Sequence, residues 1–278
     1  MQALNIEQTY RVLLGDVNSF RIMLVGCGGT GSSLALALAG LAYHARQKGI
    51  QIELTLVDHD TIQAGNIGRQ AFGVASAFTG AVHKVSDLSL RLNAAYGLDI
   101  MAWPEKYEAH MARDWFNHGA GGYSQVHLII GCVDGHLGRR EIAKTVTAFD
   151  GRIYALDSGN ERHSGQVLIG NLTDVSQIKL DKLGLCTGLP SPYVQEPELL
   201  EPDPEEENQS CAEMTLAEAQ SLMVNRMAAV IAAQYVATFV LQRQILQLGS
   251  YFNLNPPTAK SRLVTEANLK QYQKERRS

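Results

Sequence analysis

The segment "FRIMLVGCGGTGSSLALALAGLAYHARQKG", beginning at Phe20, constrains this chain more than any other stretch. An apolar run stops at a glycine-rich turn and restarts as a helix-forming sequence. Gly26, Gly28 and Gly31 give the spacing GxGxxG, with Gly29 as a further glycine inside the turn. The first glycine permits a tight turn and the second lets the backbone approach phosphate. The helix that follows offers amide donors and the positive end of a dipole. In a strand–turn–helix setting this pattern points to a bound nucleotide, although glycines alone would be a weak signal.

The rest of the first half repeats the alternation. "QIELTLVD" reads as a second strand, Ala81–Tyr96 as a helix, "LDIMAW" as a short strand, "QVHLIIGCVD" as a buried strand and Gly135–Phe149 as a helix. "RIYALDSG" and "SGQVLIG" close this half as strands. Strand–helix alternation implies an α/β, Rossmann-like fold with a mostly parallel sheet and helices on both faces. The expected organisation is a nucleotide-binding domain over residues 1–170, a crossover loop over 171–214, and a C-terminal helix and tail over 215–278 that pack on the same domain.

The crossover stretch "GLPSPYVQEPELLEPDPEEENQSC" holds five of the eight prolines and seven acidic residues, which predicts an exposed, mobile loop. Thr215, with Glu218 three residues on, is the expected N-cap of the helix beyond it. The most apolar run, "MAAVIAAQYVATFVL", is fifteen residues long and contains a glutamine and a tyrosine. A membrane span needs about twenty, so a buried helix is expected. From Tyr251 the chain carries six Lys/Arg against two Glu, and "NPP" breaks any helix, so a frayed tail is expected. Net charge is −4, which gives no global reason to expect nucleic acid or a membrane surface as partner. Four scattered cysteines, Cys27, Cys132, Cys186 and Cys211, include no CxxC pair. That spacing predicts no zinc site and fits a reducing, cytoplasmic setting.

Asp58 ends the second strand, 27 residues after Gly31, and fits the carboxylate that holds a ribose. Asp60 reads better as a loop cap. Up to this point a nicotinamide dehydrogenase and an ATP enzyme fit equally well. The block "VDHDTIQAGNIGRQ" separates them. A triphosphate, and a pyrophosphate leaving group above all, calls for fixed cations that a dinucleotide does not need. Arg69 can fork onto phosphate oxygens, Lys84 can act as a point charge, and Asn66 can donate without adding charge. Asp134, at the end of a strand, lies at the carboxyl edge of the sheet, where it could hold Mg²⁺. Each has a plainer alternative: a surface ion pair for Arg69, a solvated helix residue for Lys84, and a cap on the helix starting at Gly135 for Asp134.

Taken together, "GCGGTGS", "VDHDTIQAGNIGRQ", "GAVHKV" and "GCVDGHLGRR" resemble the ThiF/MoeB family, which shares its adenylation domain with ubiquitin-activating enzymes. The wording of "GNIGRQ" and "GCVDGHLGRR" is most similar to the ThiF-type proteins of PRTRC plasmid systems. The resemblance covers roughly residues 20–170, with a weaker match around Cys211. It implies ATP-dependent adenylation, with Mg²⁺, of the C-terminal carboxylate of a small ubiquitin-like protein ending in glycine. By matching positions, Asp58 would hold the ribose, and Asn66, Arg69 and Lys84 would serve the phosphates. Gln70 would support them, Asp134 would serve the metal, and Arg139 would brace the site. A cysteine at the Cys211 junction would take the acyl group as a thioester, helped by a helix N-terminus that lowers a thiol pKa. Cys186 is a second candidate for that role.

The resemblance also implies a homodimer. The chain departs from the family in lacking the zinc cysteines and a recognisable N-terminal arginine helix, Arg11 being the one arginine there. Three other readings stay open: adenylation of a small-molecule or RNA-base substrate, a non-catalytic nucleotide-binding scaffold, and a nicotinamide oxidoreductase.

Overall fold

The structure, a computed structural model, describes residues 8–78, 81–117, 125–202 and 211–274. In chain order the elements are β1 (Val12–Leu13), β2 (Ser19–Val25), α1 (Gly29–Arg46), β3 (Gln51–Val57), α2 (Val74–Phe78), α3 (Lys84–Tyr96), β4 (Met101–Trp103), α4 (Ala109–Asn117) and β5 (Gln125–Gly131). They continue with α5 (His136–Ala148), β6 (Ile153–Asn160), β7 (Ser164–Gly170), α6 (Pro192–Gln195), α7 (Cys211–Leu241), β8 (Gln244–Ile245), β9 (Gln247–Leu254), β10 (Pro257–Leu263) and α8 (Glu266–Lys274). Eight strands form one sheet in the order β10-β9-β7-β6-β5-β2-β3-β4, and β1 and β8 form a small antiparallel pair.

From β4 to β6 all neighbours run parallel, and β7, β9 and β10 continue the sheet antiparallel. The parallel part is the Rossmann-like sheet expected from the alternating pattern. Its strand order reverses at β2, whose carboxyl end is therefore the crevice where α/β proteins bind ligands.

Every residue of β2 is buried, as a strand covered on both faces must be. Because side chains alternate along a strand, its two sets serve two cores. Phe20, Ile22 and Leu24 belong to the larger core with α1, α3 and α7, where Leu34, Leu38, Leu88, Val236 and Phe239 are also buried. Met23 and Val25 belong to the second, with Trp115 of α4 and Ile142 and Val146 of α5. Burying one such side chain stabilises the fold by about 1.5–3 kcal/mol.

Several expectations are corrected. The α3 helix starts at Lys84, not Ala81, because the preceding residues are extended: Thr61 bridges His83 and the Ile62 amide donates to the Val82 carbonyl at 2.9 Å. The α7 helix starts at Cys211, four residues before Thr215, so Thr215 is not its N-cap. Leu222–Leu241 of α7 is long and apolar enough to cross a membrane by length and composition, more than the fifteen residues counted in the sequence. In the fold α7 lies across α1 and the sheet, with Val224, Ala228, Ala232, Val236 and Phe239 buried.

The described part of the crossover, 171–202, is not simply exposed. Pro192, Tyr193 and Gln195 are buried, and the Gln195 side chain donates to the Ile169 and Pro190 carbonyls at 3.0 and 2.9 Å. Prolines lack a donor and so can be laid against a core without an orphaned N–H. Gly170 makes the approach possible, since a Cβ there would sit 1.8 Å from the Pro190 oxygen.

The expected frayed tail is instead the β9–β10 hairpin and α8. Arg262 of β10 joins Glu196 (3.2 Å), the Tyr251 hydroxyl (2.6 Å) and the Tyr272 hydroxyl, which ties the hairpin to both α8 and the crossover. β10 is the outermost strand, and Pro257–Ser261 are exposed.

Candidate active site

The glycine turn stands at the carboxyl end of β2. Gly26 has φ +88°, and a Cβ there would lie 2.4 Å from the Cys132 carbonyl oxygen, so the left-handed turn and the close approach both demand glycine. At Gly31 a Cβ would lie 1.9 Å from the Gly26 oxygen, which lets α1 pack directly on the turn. The N-cap of α1, Gly28, makes no side-chain cap bond, and no acidic residue lies in the first turn. The first-turn amides and the helix dipole are thus left to face an anion.

Asp58 is buried, and backbone amides grip both its oxygens: Cys27 donates to Oδ2 at 2.6 Å and Asp60 to Oδ1 at 2.8 Å. The carboxylate expected to hold a ribose is therefore rigidly oriented beside the glycine turn. Asp60 does more than cap a loop. Its carboxylate pairs with Lys84 Nζ at 2.8 Å, and the Lys84 amide donates to the Asp60 carbonyl at 3.0 Å. Desolvation pushes the Asp60 carboxyl up, but the Lys84 bond and charge outweigh it and the net shift is downward. Lys84 is buried at the first position of α3 rather than being a solvated helix residue.

Asp134 follows β5 by three residues at the same edge, one residue before Gly135, the N-cap of α5, which makes no side-chain cap bond. Its side chain reaches solvent, yet the surrounding protein desolvates the carboxyl and lifts it above the ordinary range. Arg139 and Lys84 pull it back, while the negative Asp58 and Asp60 push it further up. Arg139, Lys84, Asp58 and Asp60 therefore all act on Asp134 across the β2 crevice. Ligand atoms of Asp58, His59 and Asp60 also lie within 4.8 Å of one another.

Arg139 is anchored from below. Its Nε lies 3.4 Å from Oδ2 of Asp157, a fully buried carboxylate on β6 that also accepts from the Tyr193 hydroxyl at 3.3 Å. Desolvation raises the Asp157 carboxyl, and Arg139 and Tyr193 oppose the shift.

The "NIGRQ" loop is built separately. Asn66 Oδ1 accepts the Gln63 amide at 2.9 Å in a reciprocal cap around Ala64–Asn66. Arg69 Nε donates to the Gly65 carbonyl at 3.0 Å, and Ser32 of α1 accepts the Ala71 amide at 3.0 Å. Arg69 and Gln70 line a groove of about 610 Å³ between α1 and α7, bounded by Leu36, Ala229, Val230 and Ala233. Asp58, Lys84 and Asp134 thus come together with Asp60 and Arg139, while Arg69 and Gln70 stand along the neighbouring groove. The Gln70 Oε1 is buried without a partner.

Cys211 opens α7, and its side chain lies outside the described residues. Cys186 is buried, and burial raises its thiol pKa to about 12, which is unfit for a nucleophile. Cys27 and Cys132 are also buried, with thiols pushed up mainly by desolvation.

Three site residues were not singled out in the sequence: Asp60 as a lysine partner, Asp157, and Asn225 of α7, which reaches the glycine turn. Asp157 could have been found as a carboxylate inside the apolar strand "IYALDSG". Asn225 interrupts an apolar helix at "LMVNRMAAV".

A reversed parallel sheet with a glycine turn, an oriented carboxylate and a buried lysine at its switch point defines a nucleotide-binding protein of the Rossmann-like class. The chain belongs to the ThiF family, whose family profile matches residues 4–277. A mouse (Mus musculus) protein, adenylyltransferase and sulfurtransferase MOCS3, is 33% identical over 108 residues, covering 38% of this chain and 20% of that one. Among solved structures, PaaA matches with TM-score 0.56 at 14% identity, over 90% of this chain and 65% of that one. E. coli MccB with ATP matches with TM-score 0.54 at 14% identity, over 91% and 65%. At that identity the two structures speak for the fold. The chain spans about a fifth of the length of the curated relative and just under two thirds of these structures.

Proposed function

We propose that the protein adenylates the C-terminal carboxylate of a small ubiquitin-like protein ending in glycine. The observation that carries the reading is the meeting of Asp58, Asp60, Lys84, Asp134 and Arg139 beside an uncapped helix N-terminus at the β2 crevice. ATP suits this edge, because open space beside Gly28 and the uncapped first turn of α1 leave backbone amides for phosphate.

The substrate carboxylate oxygen attacks the α-phosphorus, the bond to the β-phosphate oxygen breaks, and pyrophosphate leaves with its electron pair. Asp58 orients the ribose. The amides of α1 hold phosphate oxygens, and Lys84 exchanges Asp60 for the charge on the leaving group. Asn66, its Oδ1 already committed to Gln63, has its amide nitrogen left to donate, and Arg69 serves the outer phosphates with Gln70 behind it. Asp134 would hold Mg²⁺, which supplies a Lewis acid to the phosphates when bound. Cys211 then attacks the acyl carbon as a thiolate and releases AMP, leaving a thioester.

The reading includes a homodimer, supported by exposed Leu36 and Val230 beside the α1–α7 groove. It includes a cytoplasmic setting, supported by three free described cysteines. Within the family it follows the ThiF-type proteins of PRTRC systems, on "GNIGRQ" and "GCVDGHLGRR". The mouse relative's double name, adenylyltransferase and sulfurtransferase, makes sulfur transfer a candidate fate of the activated acyl group.

The deciding experiment is ATP–pyrophosphate exchange with Mg²⁺, with and without a small glycine-terminated protein encoded nearby. Exchange that depends on that protein is expected. ATP binding without exchange under any of these conditions would sink the substrate assignment. Cys211→Ala is expected to retain exchange and to lose any thiol-reducible adduct, and an adduct that persists moves the acceptor elsewhere.

A further inference from the structure

We propose that Asn225 of α7 is the positioning residue that holds the glycine turn and the first turn of α1 in their phosphate-binding shape. The functional half of this inference rests on the adenylation reading. Gly29 poses the problem that Asn225 solves. It is not one of the three glycines that the GxGxxG spacing requires, and its φ is not in the left-handed region. A Cβ on Gly29 would nevertheless lie 2.3 Å from Asn225 Nδ2 and 2.8 Å from its Cγ. Gly29 is bare because the Asn225 amide rests against it.

Asn225 is held there by polar contacts on the other side. Its Oδ1 accepts from Thr30 Oγ1 at 3.1 Å and from Asn160 Nδ2 at 2.8 Å. Thr30 is the second residue of α1 and Asn160 the last residue of β6, so one amide joins three elements. Asn225 is half-buried, and on its packed side α7 is apolar, with Val224, Ala228 and Ala229 buried. An amide in such surroundings has few alternative partners, so the geometry is set by the fold before any nucleotide arrives. Phosphate then meets amides already aimed at it and loses less entropy on binding.

The variants separate positioning from space filling. Asn225→Ala removes both hydrogen bonds and leaves Thr30 and Asn160 to find water. The expected effect is a rise of about tenfold in KM for ATP with kcat within about twofold, the signature of lost binding organisation. Asn225→Asp keeps the acceptor but sets a negative charge beside α1's N-terminus, so its KM is expected to rise further and to depend on salt. Gly29→Ala introduces the collision, and Gly29→Ala combined with Asn225→Ala relieves it without restoring the hydrogen bonds.

Hydrogen exchange on the nucleotide-free full chain is the primary test. Asn225→Ala is expected to speed exchange of the amides of residues 28–33 about tenfold, with the second half of α1 unchanged. Unaltered protection at 28–33, or a loss spread evenly along α1 and α7, would overturn the clamp. A lowered kcat at unchanged KM would overturn its role in binding ATP, as would a double variant that regains the wild-type KM. A wild-type protein that catalyses no exchange reaction takes down the adenylation reading instead, and the hydrogen-exchange result still decides the clamp.

Discussion

Two arginine–carboxylate pairs, one in each half of the sheet, are built to opposite specifications. Arg262 and Glu196, in the antiparallel wing, close a network: two tyrosine hydroxyls complete it, and the guanidinium also lies over the rings of Tyr251 and Tyr272 at 5.1 and 6.0 Å. Arg139 and Asp157, under the β2 crevice, stay 3.4 Å apart, and Arg139 Nε and Asp157 Oδ1 are buried without hydrogen-bond partners. The first pair uses its charges to join β9, β10, α8 and the crossover. The second keeps hydrogen-bonding capacity in reserve beneath a site whose other charges, Asp134 and Lys84, also act on each other. Unsatisfied polar groups cost stability, and the Arg139–Asp157 pair carries that cost directly beneath the site while the Arg262 network does not.

The largest effect is expected at the crevice itself: Asp134→Ala should lower pyrophosphate exchange by about 10²–10³-fold with the melting temperature nearly unchanged. Near-normal exchange there would remove Asp134 from the site. Asp157→Ala strands Arg139 and should cost about 3–5 kcal/mol in denaturant unfolding, with activity falling as well. Arg262→Met opens the wing network and should cost about 1–2 kcal/mol while leaving exchange intact. Lost exchange at full stability in that variant would mean that the wing belongs to the site.

The smallest effect concerns His127, buried on β5 between the rings of Trp115 and Phe116, at 5.2 and 4.4 Å. Desolvation, helped by the Arg21 charge, lowers its pKa to about 4 from an ordinary 6.5. Between those values the unfolded chain binds the extra proton, so stability should fall as pH drops from 6.5 to 4 and then level off for this group. His127→Phe should flatten that part of the melting-temperature profile. An unchanged slope would assign the decline to other groups.

What the sequence disclosed follows the range of the physics. Strand and helix periods are local, and so β2, β3, β5, β6 and β7 are legible, as are the glycine turn and Asp58 at a strand end. The wing was not. "SYFNLNPPTAKSRL" reads as a charged tail with a helix breaker, whereas the same prolines sit at the turn and edge of a hairpin whose value is set by pairing with β7, far away in sequence. The crossover's acid and proline content concealed Tyr193 and Gln195, whose burial depends on the sheet they cross. At the site, Lys84 and Asp134 were legible as residue types on one edge. Arg139 is legible as a brace only through the family resemblance, and Asp60 and Asp157 take their roles from distances that no spacing rule contains. Asn225 is the extreme case, since 195 residues separate it from Thr30.

The outermost strand has a consequence for the protein in company. Eight strands end on β10, and an open strand edge is a template on which a neighbouring chain can stack, the first step towards fibres. Pro257 has no donor to offer an incoming strand, and exposed Lys260 sets a repelling charge in the middle of the edge. The same strand that completes the sheet is therefore a poor seed for further growth, and replacing Lys260 with valine would be expected to make the protein aggregate at concentrations the native chain tolerates.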